Sequence, residues 1–200
     1  MTRAPGRNVT RERIAHLAAR MMAEDGIEDH ALAKRKAARQ AGVPDLRQLP
    51  NNEEIDAALR SYRGLYQREH PAQLRGLRLL ALEVMQDLDR FNPYLTGPAL
   101  TGVAGKYSGI QLQLFTDNAK GIEHYLLNRG VSFRGGQTRL YAGDMELTVP
   151  TLAFDRNGVE TRLTLLSPRE LRSRLKASVE GKPIERASRQ AVEVLIAAAE

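Results

Sequence analysis

The amino-acid sequence predicts an α+β protein, in which an N-terminal helical region is followed by a mixed β-sheet flanked by helices. Three observations predict this order. Apolar residues recur at helical spacing up to about residue 90. After Asn92-Pro93 the segments become short and glycines separate them. In that second part, apolar and polar residues alternate with the period of two that is typical of half-buried strands.

Four helices are predicted in the first part of the chain. They cover residues 10–26, 28–40, 53–66 and 71–91. Asn52 is placed to cap the third helix, because its side chain can accept hydrogen bonds from the free amides of the first turn. The fourth helix has the clearest buried face, with apolar residues at i, i+3, i+4 and i+7.

The second part of the chain predicts strands around one helix. Strand candidates cover 94–100, 110–115, 131–133, 145–154 and 159–166. A helix is expected over 118–128, and a hairpin turn is expected over 155–158 because Asn-Gly favours positive φ. A last helix is predicted to begin at Pro168, to break near 181–183 and to resume to the end.

These elements predict three segments. Residues 1–8 are polar and turn-prone and are expected to be a disordered tail. Residues 9–74 form the helical N-terminal region. Residues 75–200 form the α+β domain, which includes the C-terminal helices. A chain of 200 residues is long enough for one large domain or for a small domain with a helical extension.

The composition limits the classes of function. The chain has no cysteine, which excludes disulfides, thiolate metal sites and a cysteine nucleophile. No apolar run is long enough to span a bilayer, and no signal peptide follows Met1, so we expect a cytoplasmic protein without a membrane partner. The net charge of +6 is compatible with a phosphate-bearing partner, but 30 basic residues face 24 acidic ones.

Basic residues are concentrated in three places. Lys34-Arg35-Lys36 with Arg39 is the densest cluster, and it either contacts phosphates along a helix or forms a solvated face. Arg134 begins a basic turn that is either a phosphate contact or a simple hairpin loop. A third basic region, over 169–189, would attract anions if it faced the turn at 102–108.

A glycine-rich segment carries a resemblance to a known superfamily. Residues 97–112 read GPALTGVAGKYSGIQL. The segment resembles the signature of the polymerase-beta-like nucleotidyltransferases, in which a strand ends in Gly-Ser and a later strand opens Ser-Asp-Ile-Asp-Leu. The chain also resembles small bacterial proteins with a nucleotidyltransferase-like fold. The resemblance implies a nucleotidyltransferase-like sheet over roughly 75–170 and a turn that holds nucleotide phosphates.

The match to the superfamily is partial. Gly102 stands at the position of the family's glycine and Val103 at that of its serine. Gly109 and Gln111 stand where the resemblance requires the two carboxylates that bind divalent metal. Alternate strand residues share a face, so an Asp-x-Asp pair would place two carboxylates on one ion. The nucleotide-binding residues implied for this degenerate motif are Gly102, Val103, Lys106, Ser108, Gly109 and Gln111.

No metal ligand set and no catalytic residue is predicted. Glu160 lies where the third carboxylate of the superfamily would stand, and it is the one weak catalytic candidate. Other acids that a rearranged site would use are Asp117, Asp144 and Glu146. No cofactor is expected, and Mg²⁺ enters only if such a rearranged site is active.

Three functional hypotheses follow. The first is a catalytically degenerate nucleotidyltransferase-like protein that binds a nucleotide or RNA, or regulates through such binding. The second is an active metal-dependent nucleotidyltransferase with a rearranged carboxylate site. The third is an interaction or scaffold protein, with a protein partner or a homodimer formed through the helical half.

Overall fold

The computed structural model describes residues 7–27, 29–43, 49–179 and 181–198. Residues 1–6 of the predicted tail lie outside this part of the chain, whereas its last two residues, Arg7 and Asn8, belong to the first helix. The protein is α+β, with an N-terminal helical region followed by a mixed sheet, as the sequence predicts. The chain divides into two compact units, Met1–Pro71 and Ala72–Glu200.

The first unit contains three helices. They are α1 (Arg7–Glu24), α2 (His30–Ala41) and α3 (Asn52–Tyr66). The side chain of Asp29 caps α2 by accepting from two backbone amides. Asn51, one residue before the predicted cap, begins α3 in a capping box with Glu54.

The core of the first unit is rich in alanine. α1 packs against both α2 and α3, and small side chains let the helix backbones approach closely. The buried apolar residues are Ile14, Ala15, Ala18, Ala19, Met22, Ala33, Ala37, Ala38, Ile55, Ala58 and Leu59. Burial of these side chains is the main term that stabilises the three helices.

The second unit contains a six-stranded sheet and four helices among its described residues. A 3₁₀ turn, Asp89–Phe91, follows the first of these helices, and another, Pro168–Arg172, follows β5. The elements are, in chain order, α4 (His70–Asp87), β1 (Pro93–Thr96), α5 (Gly97–Thr101), β2 (Ile110–Phe115), α6 (Ala119–Asn128), β3 (Arg134–Ala142), β4 (Met145–Arg156), β5 (Val159–Leu166), β6 (Leu175–Lys176) and α7 (Arg189–Ala197).

The sheet has the strand order β1-β2-β5-β4-β3-β6. β2 and β5 are parallel, and all other neighbours are antiparallel. The sheet is curled. β6 forms one edge of the sheet, next to β3, and β1 forms the other. The chain after β6 returns to the β1 edge, where Ala187 forms a bridge with Leu95. The C-terminal segment therefore contacts both edges of the sheet.

The two faces of the sheet differ in what covers them. On one face, which we call the helix face, residues such as Leu112 and Leu163 join apolar residues of α4, α6 and α7 in the main core. The opposite face, which we call the open face, carries a smaller apolar cluster around Phe115 and Leu166 at one end. The other end of this face carries exposed polar residues such as Gln111, Glu160 and Arg162. Among the described residues, no α-helix contributes a side chain to the smaller cluster.

Several predicted boundaries are wrong. The strand predicted over 94–100 ends at Thr96, because Pro98 at the first turn starts α5 instead. The strand predicted over 131–133 lies later, as β3. The helix predicted from Pro168 is a short 3₁₀ turn followed by β6, and only α7 is helical in that region.

None of the helices in the described part of the chain is long and apolar enough to cross a lipid bilayer.

Candidate functional site

The residues at the two expected carboxylate positions lie at the polar end of the open face. Gln111 is exposed on β2 and pairs with Thr96 on one side and with Arg162 on the other. Its side chain covers Gly97, since a Cβ at Gly97 would lie 2.6 Å from Oε1 of Gln111. Gly97 also has a φ of +71°, which favours glycine.

Gly109 precedes β2 and has no room for a side chain. A Cβ built on it would overlap the backbone carbonyl oxygen of Glu160 in the neighbouring strand β5. Backbone cannot move aside as the tip of a flexible side chain can. The close approach of two backbones therefore excludes an aspartate at this position in the present geometry.

Glu160 bridges two arginines. Its Oε2 accepts from Nη2 of Arg134 at 2.7 Å, and its Oε1 accepts from Nη2 of Arg162 at 2.8 Å. All three side chains are exposed to solvent. We call this group the arginine cluster. Two positive charges and one negative charge give it a net charge of +1.

Strand register aligns the arginine cluster with Gln111. Gln111 of β2 pairs with Arg162 of β5, Arg162 pairs with Ala153 of β4, and Ala153 pairs with Arg134 of β3. Neighbouring strands lie about 4.8 Å apart, so the backbones of the two arginines are separated by about 10 Å. The small side chain of Ala153 stands between them.

A cavity of about 260 Å³ opens beside the arginine cluster. Phe133 and Phe154, which also line it, belong to the main core. The lining residues are Ser132, Phe133, Arg134, Ala153, Phe154, Asp155 and Glu160.

The turn at 102–108 closes on itself. Gly102 ends α5 in a left-handed conformation. The glycine that directly follows strand β1 is therefore Gly97, and not Gly102 as the resemblance implies. The backbone N–H of Gly105 donates to Oγ of Ser108 at 2.9 Å, and the N–H of Ser108 donates to the carbonyl oxygen of Gly105. Val103 is buried. The amide of Gly105 and the hydroxyl of Ser108 are therefore engaged within the turn.

Lys106 and Ser108 border a different cavity. Its volume is about 310 Å³, and it lies between α4 and the turn. Val159 also lines it and precedes Glu160 on β5, so it points to the helix face rather than to the open face. The cavity is lined by Gln73, Leu74, Gly76, Leu77, Leu80, Ala104, Gly105, Lys106, Ser108 and Val159.

Four of the six residues implied by the resemblance therefore separate into two groups, and Gly102 at the end of α5 and the buried Val103 belong to neither. Gly109 and Gln111 border the arginine cluster on the open face, whereas Lys106 and Ser108 line the cavity on the helix side. No pattern in the sequence indicates that Arg134 and Arg162 lie close together. The register that aligns them across three strands has no signal in local sequence.

Arg78 of α4 holds the end of α5 in place. Its Nε donates to the carbonyl oxygen of Ala99 at 2.9 Å, and its Nη2 donates to that of Leu100 at 3.1 Å. These carbonyls belong to the last turn of a helix, where they have no partner within the helix. Burial lowers the pKa of the Arg78 guanidinium. No sequence motif indicates this contact.

The four acids of a rearranged metal site do not converge. Glu146 lies near the start of β4, where it pairs with Tyr141. Asp155 lies nine residues further along β4, where it pairs with Glu160. Nine residues of a strand span about 30 Å, so Glu146 and Glu160 are far apart. Asp117 follows the end of β2, where Phe115 pairs with Leu166. Leu166 is six residues, or about 20 Å, from Glu160 along β5, and Asp117 follows β2 at that far end. Asp144 lies in the turn between β3 and β4, two residues before Glu146.

The described residues also contain no other set of metal ligands. Among residues 7–27, 29–43, 49–179 and 181–198, no group of three His, Cys, Asp or Glu side chains is placed to hold one metal ion. Glu146 contacts Tyr141 at 3.2 Å and Arg139 at 3.6 Å. Glu146 on β4 and Glu160 on β5 are thus both paired with neighbouring side chains.

No protein-family model matches the chain, and neither a curated protein nor a solved structure matches it.

Proposed function

We propose that this chain binds phosphate groups of a nucleotide or of RNA at the open face, through Arg134 and Arg162, without metal-dependent transfer. The observation that carries this proposal is the arginine cluster beside Gly109 and Gln111. In the superfamily that the chain resembles, carboxylates in this region would attract a cation. Here the corresponding region carries a net positive charge.

Electrostatics favours an anion over a metal ion at this site. Gly109 and Gln111 are neutral, and the charge of Glu160 is compensated by two guanidinium groups. A divalent cation placed here would meet net repulsion. A phosphate would meet planar guanidinium groups, which bind two phosphate oxygens at once.

The geometry leaves space for the phosphate. Ala153 separates the two arginines, and the carboxylate of Glu160 holds both guanidinium groups. Exchange of Glu160 for a phosphate costs little, because exposed ion pairs contribute only about 0–1 kcal/mol. A cavity of about 260 Å³ lies next to the arginine cluster and leaves room for the rest of the same ligand.

The direct test is calorimetric titration of the full chain with ATP, GTP, CTP and UTP, each with and without Mg²⁺, and with a short single-stranded RNA. We expect binding that does not require Mg²⁺. Tight binding that appears only with Mg²⁺, together with nucleotide transfer, would support the rearranged active enzyme instead. Absence of binding to all five ligands would reject the proposal.

Three variants locate the binding site. Arg134→Gln and Arg162→Gln should each weaken binding about tenfold, since a charge-assisted hydrogen bond contributes about 1.5–3 kcal/mol and solvent screens part of it. Arg139→Gln is the matched control, because Arg139 is also an exposed arginine of β3 that pairs with a glutamate. Its substitution should leave the affinity unchanged.

Glu160→Gln separates the anion site from a metal site. Removal of the carboxylate frees both guanidinium groups, so we expect the affinity for nucleotide to rise. If Glu160 were a ligand of a catalytic Mg²⁺, the same substitution would lower nucleotide binding and abolish transfer. The sign of the change therefore distinguishes the two hypotheses.

An apolar dimer surface on the first two helices has less support. Ile14 and Met22 of α1 are buried, and Leu32 of α2 is 37% exposed.

For the cellular location, we propose the cytoplasm, because a chain of 200 residues without cysteine fits a reducing compartment.

A further inference from the structure

Helix α2 presents one continuous exposed stripe. The stripe follows the spacing i, i+3, i+4, i+7 and i+8, which places its members on one side of a helix. It consists of Leu32, Arg35, Lys36, Arg39 and Gln40, and all five residues are exposed. Alanines form the opposite, buried side of the helix. We call this surface the α2 stripe.

Two carboxylates at the start of α3 already have partners. Glu54 of α3 accepts from Nε of Arg11 at 2.8 Å, and Asp56 of α3 contacts the ring of His30 at 2.7 Å. Both acids also attract Lys34, which lies on the α3 side of the helix and is half-buried. The acidic start of α3 is thus already matched by three cationic or polar partners.

The cations of the α2 stripe remain without such a match. Across the residues that the structure describes, no carboxylate forms an ion pair with Arg35, Lys36 or Arg39. Arg35 and Arg39 are four residues apart, a spacing at which like charges on a helix repel by about 0.2–0.5 kcal/mol. Arg39 in the last turn gains from the helix dipole, but Arg35 and Lys36 lie too far from that end.

We propose that the α2 stripe docks on the phosphodiester backbone of a nucleic-acid duplex. Three cations lie within one helical turn, a length of about 6 Å. A duplex carries one negative charge per about 1.7 Å of its axis when both strands are counted, so about three phosphates of the two strands lie within the same length. Acids on one face of a partner helix would stand three or four residues apart, a spacing at which like charges repel, so the charge density fits a nucleic acid better.

The shape of the helix is compatible with this partner. α2 has 12 residues and is therefore about 18 Å long. A helix of about 10–12 Å diameter fits the major groove of B-DNA, which is about 12 Å wide. At the ends of the stripe, Leu32 supplies an apolar contact and Gln40 an amide that can reach phosphate or base edges.

The test uses the full chain and two labelled duplexes of one sequence, DNA and RNA, in fluorescence anisotropy between 50 and 200 mM salt. We compare the wild type with the triple variant Arg35→Gln, Lys36→Gln, Arg39→Gln. Loss of three phosphate contacts should reduce the slope of log K against log salt by about 2.7 for DNA, since each contact contributes about 0.9. Binding of either duplex or of both supports the proposal and identifies the source of the phosphates.

The control is the triple variant Arg169→Gln, Arg172→Gln, Arg174→Gln, which removes the same charge from three exposed arginines of the second unit. Its slope should stay close to that of the wild type. Equal loss in both triple variants would show nonspecific attraction and overturn the proposal. So would absence of duplex binding at 50 mM salt, or equally tight binding of polyglutamate to the stripe. Unchanged circular dichroism of the α2 variant confirms that the helix still folds.

Discussion

Position 109 decides what the open face of the sheet can hold. Gly109 lets the start of β2 approach the backbone of Glu160 closely. Parallel pairing of β2 with β5 continues from this point, and that pairing places Arg162 opposite Gln111. A side chain at 109 would thus disturb both the strand pair and the arginine cluster, so the missing carboxylate and the presence of the cluster share one structural cause.

We expect Gly109→Ala to destabilise the protein by about 1–3 kcal/mol, the usual cost of overpacking against atoms that cannot move aside. Gly135→Ala on β3 is the control, because a Cβ there meets nothing within 4 Å. That substitution should be neutral or stabilise the strand by about 0.5–1 kcal/mol. Urea denaturation at pH 7 measures both. Equal stability of the two variants would show that the contact between Gly109 and Glu160 is not close in solution.

At the scale of elements, alternation of apolar and polar residues was sufficient for two strands. β2 and β5 have the predicted bounds, 110–115 and 159–166, because each has one face in the main core. β3 was missed over its whole length, since the predicted strand covers 131–133, and β3 opens with Arg134-Gly135-Gly136 and is exposed over its first four residues. Its pairing with β4, rather than its own pattern, makes it a strand.

The ion pair between Arg11 and Glu54, at the start of α3, predicts that the stability of the protein depends on pH. The hydrogen bond from Arg11 holds the pKa of Glu54 below its usual value of about 4.3. The folded state therefore favours the charged form, and its stabilisation is present above that usual pKa and is lost as pH falls through the lowered pKa. Glu54→Gln should destabilise the protein at pH 7 by about 0.2–1 kcal/mol, the range of exposed ion pairs.

The difference between wild type and Glu54→Gln should be smaller at pH 3 than at pH 7, because protonation of wild-type Glu54 weakens its ion pair with Arg11. Glutamine keeps the reach of the capping box to the backbone of Asn51, so the substitution isolates the ion pair. Glu12→Gln, at an exposed position of α1, is the control for loss of one negative charge. Midpoints of urea denaturation for the wild type and both variants, at pH 7 and pH 3, test this prediction. A stability difference between wild type and Glu54→Gln that does not depend on pH would contradict the role of Arg11.

At the scale of the whole molecule, the candidate site depends on contacts between distant segments. The resemblance of residues 97–112 to the superfamily signature indicated Gly109 and Gln111, and it indicated Glu160 on a later strand as the third carboxylate position. It did not indicate that Arg134 joins them, since Arg134 and Glu160 are brought together by the order β5-β4-β3 in the sheet. Local patterns contain the period of each strand but not the order of the strands, so the residues of the site were predictable only in part.

The division of the chain separates the two proposed binding functions. Arg134, Glu160 and Arg162 all lie in the unit Ala72–Glu200, whereas the α2 stripe lies in the unit Met1–Pro71. The second unit has its own large apolar core, on which α4 packs from Leu77 onward. We therefore expect a fragment of residues 72–200 to fold cooperatively, as a domain with its own core does.

This fragment should bind nucleotides with the affinity of the full chain and should lose the binding of duplexes. Thermal unfolding followed by circular dichroism tests the fold, and the calorimetric and anisotropy titrations test the two ligands on the same sample. Loss of nucleotide affinity in a folded fragment would mean that the first unit contributes to the phosphate site. Retained duplex binding would move the nucleic-acid contact from α2 to the arginines of the second unit, because those are the cations that the fragment keeps.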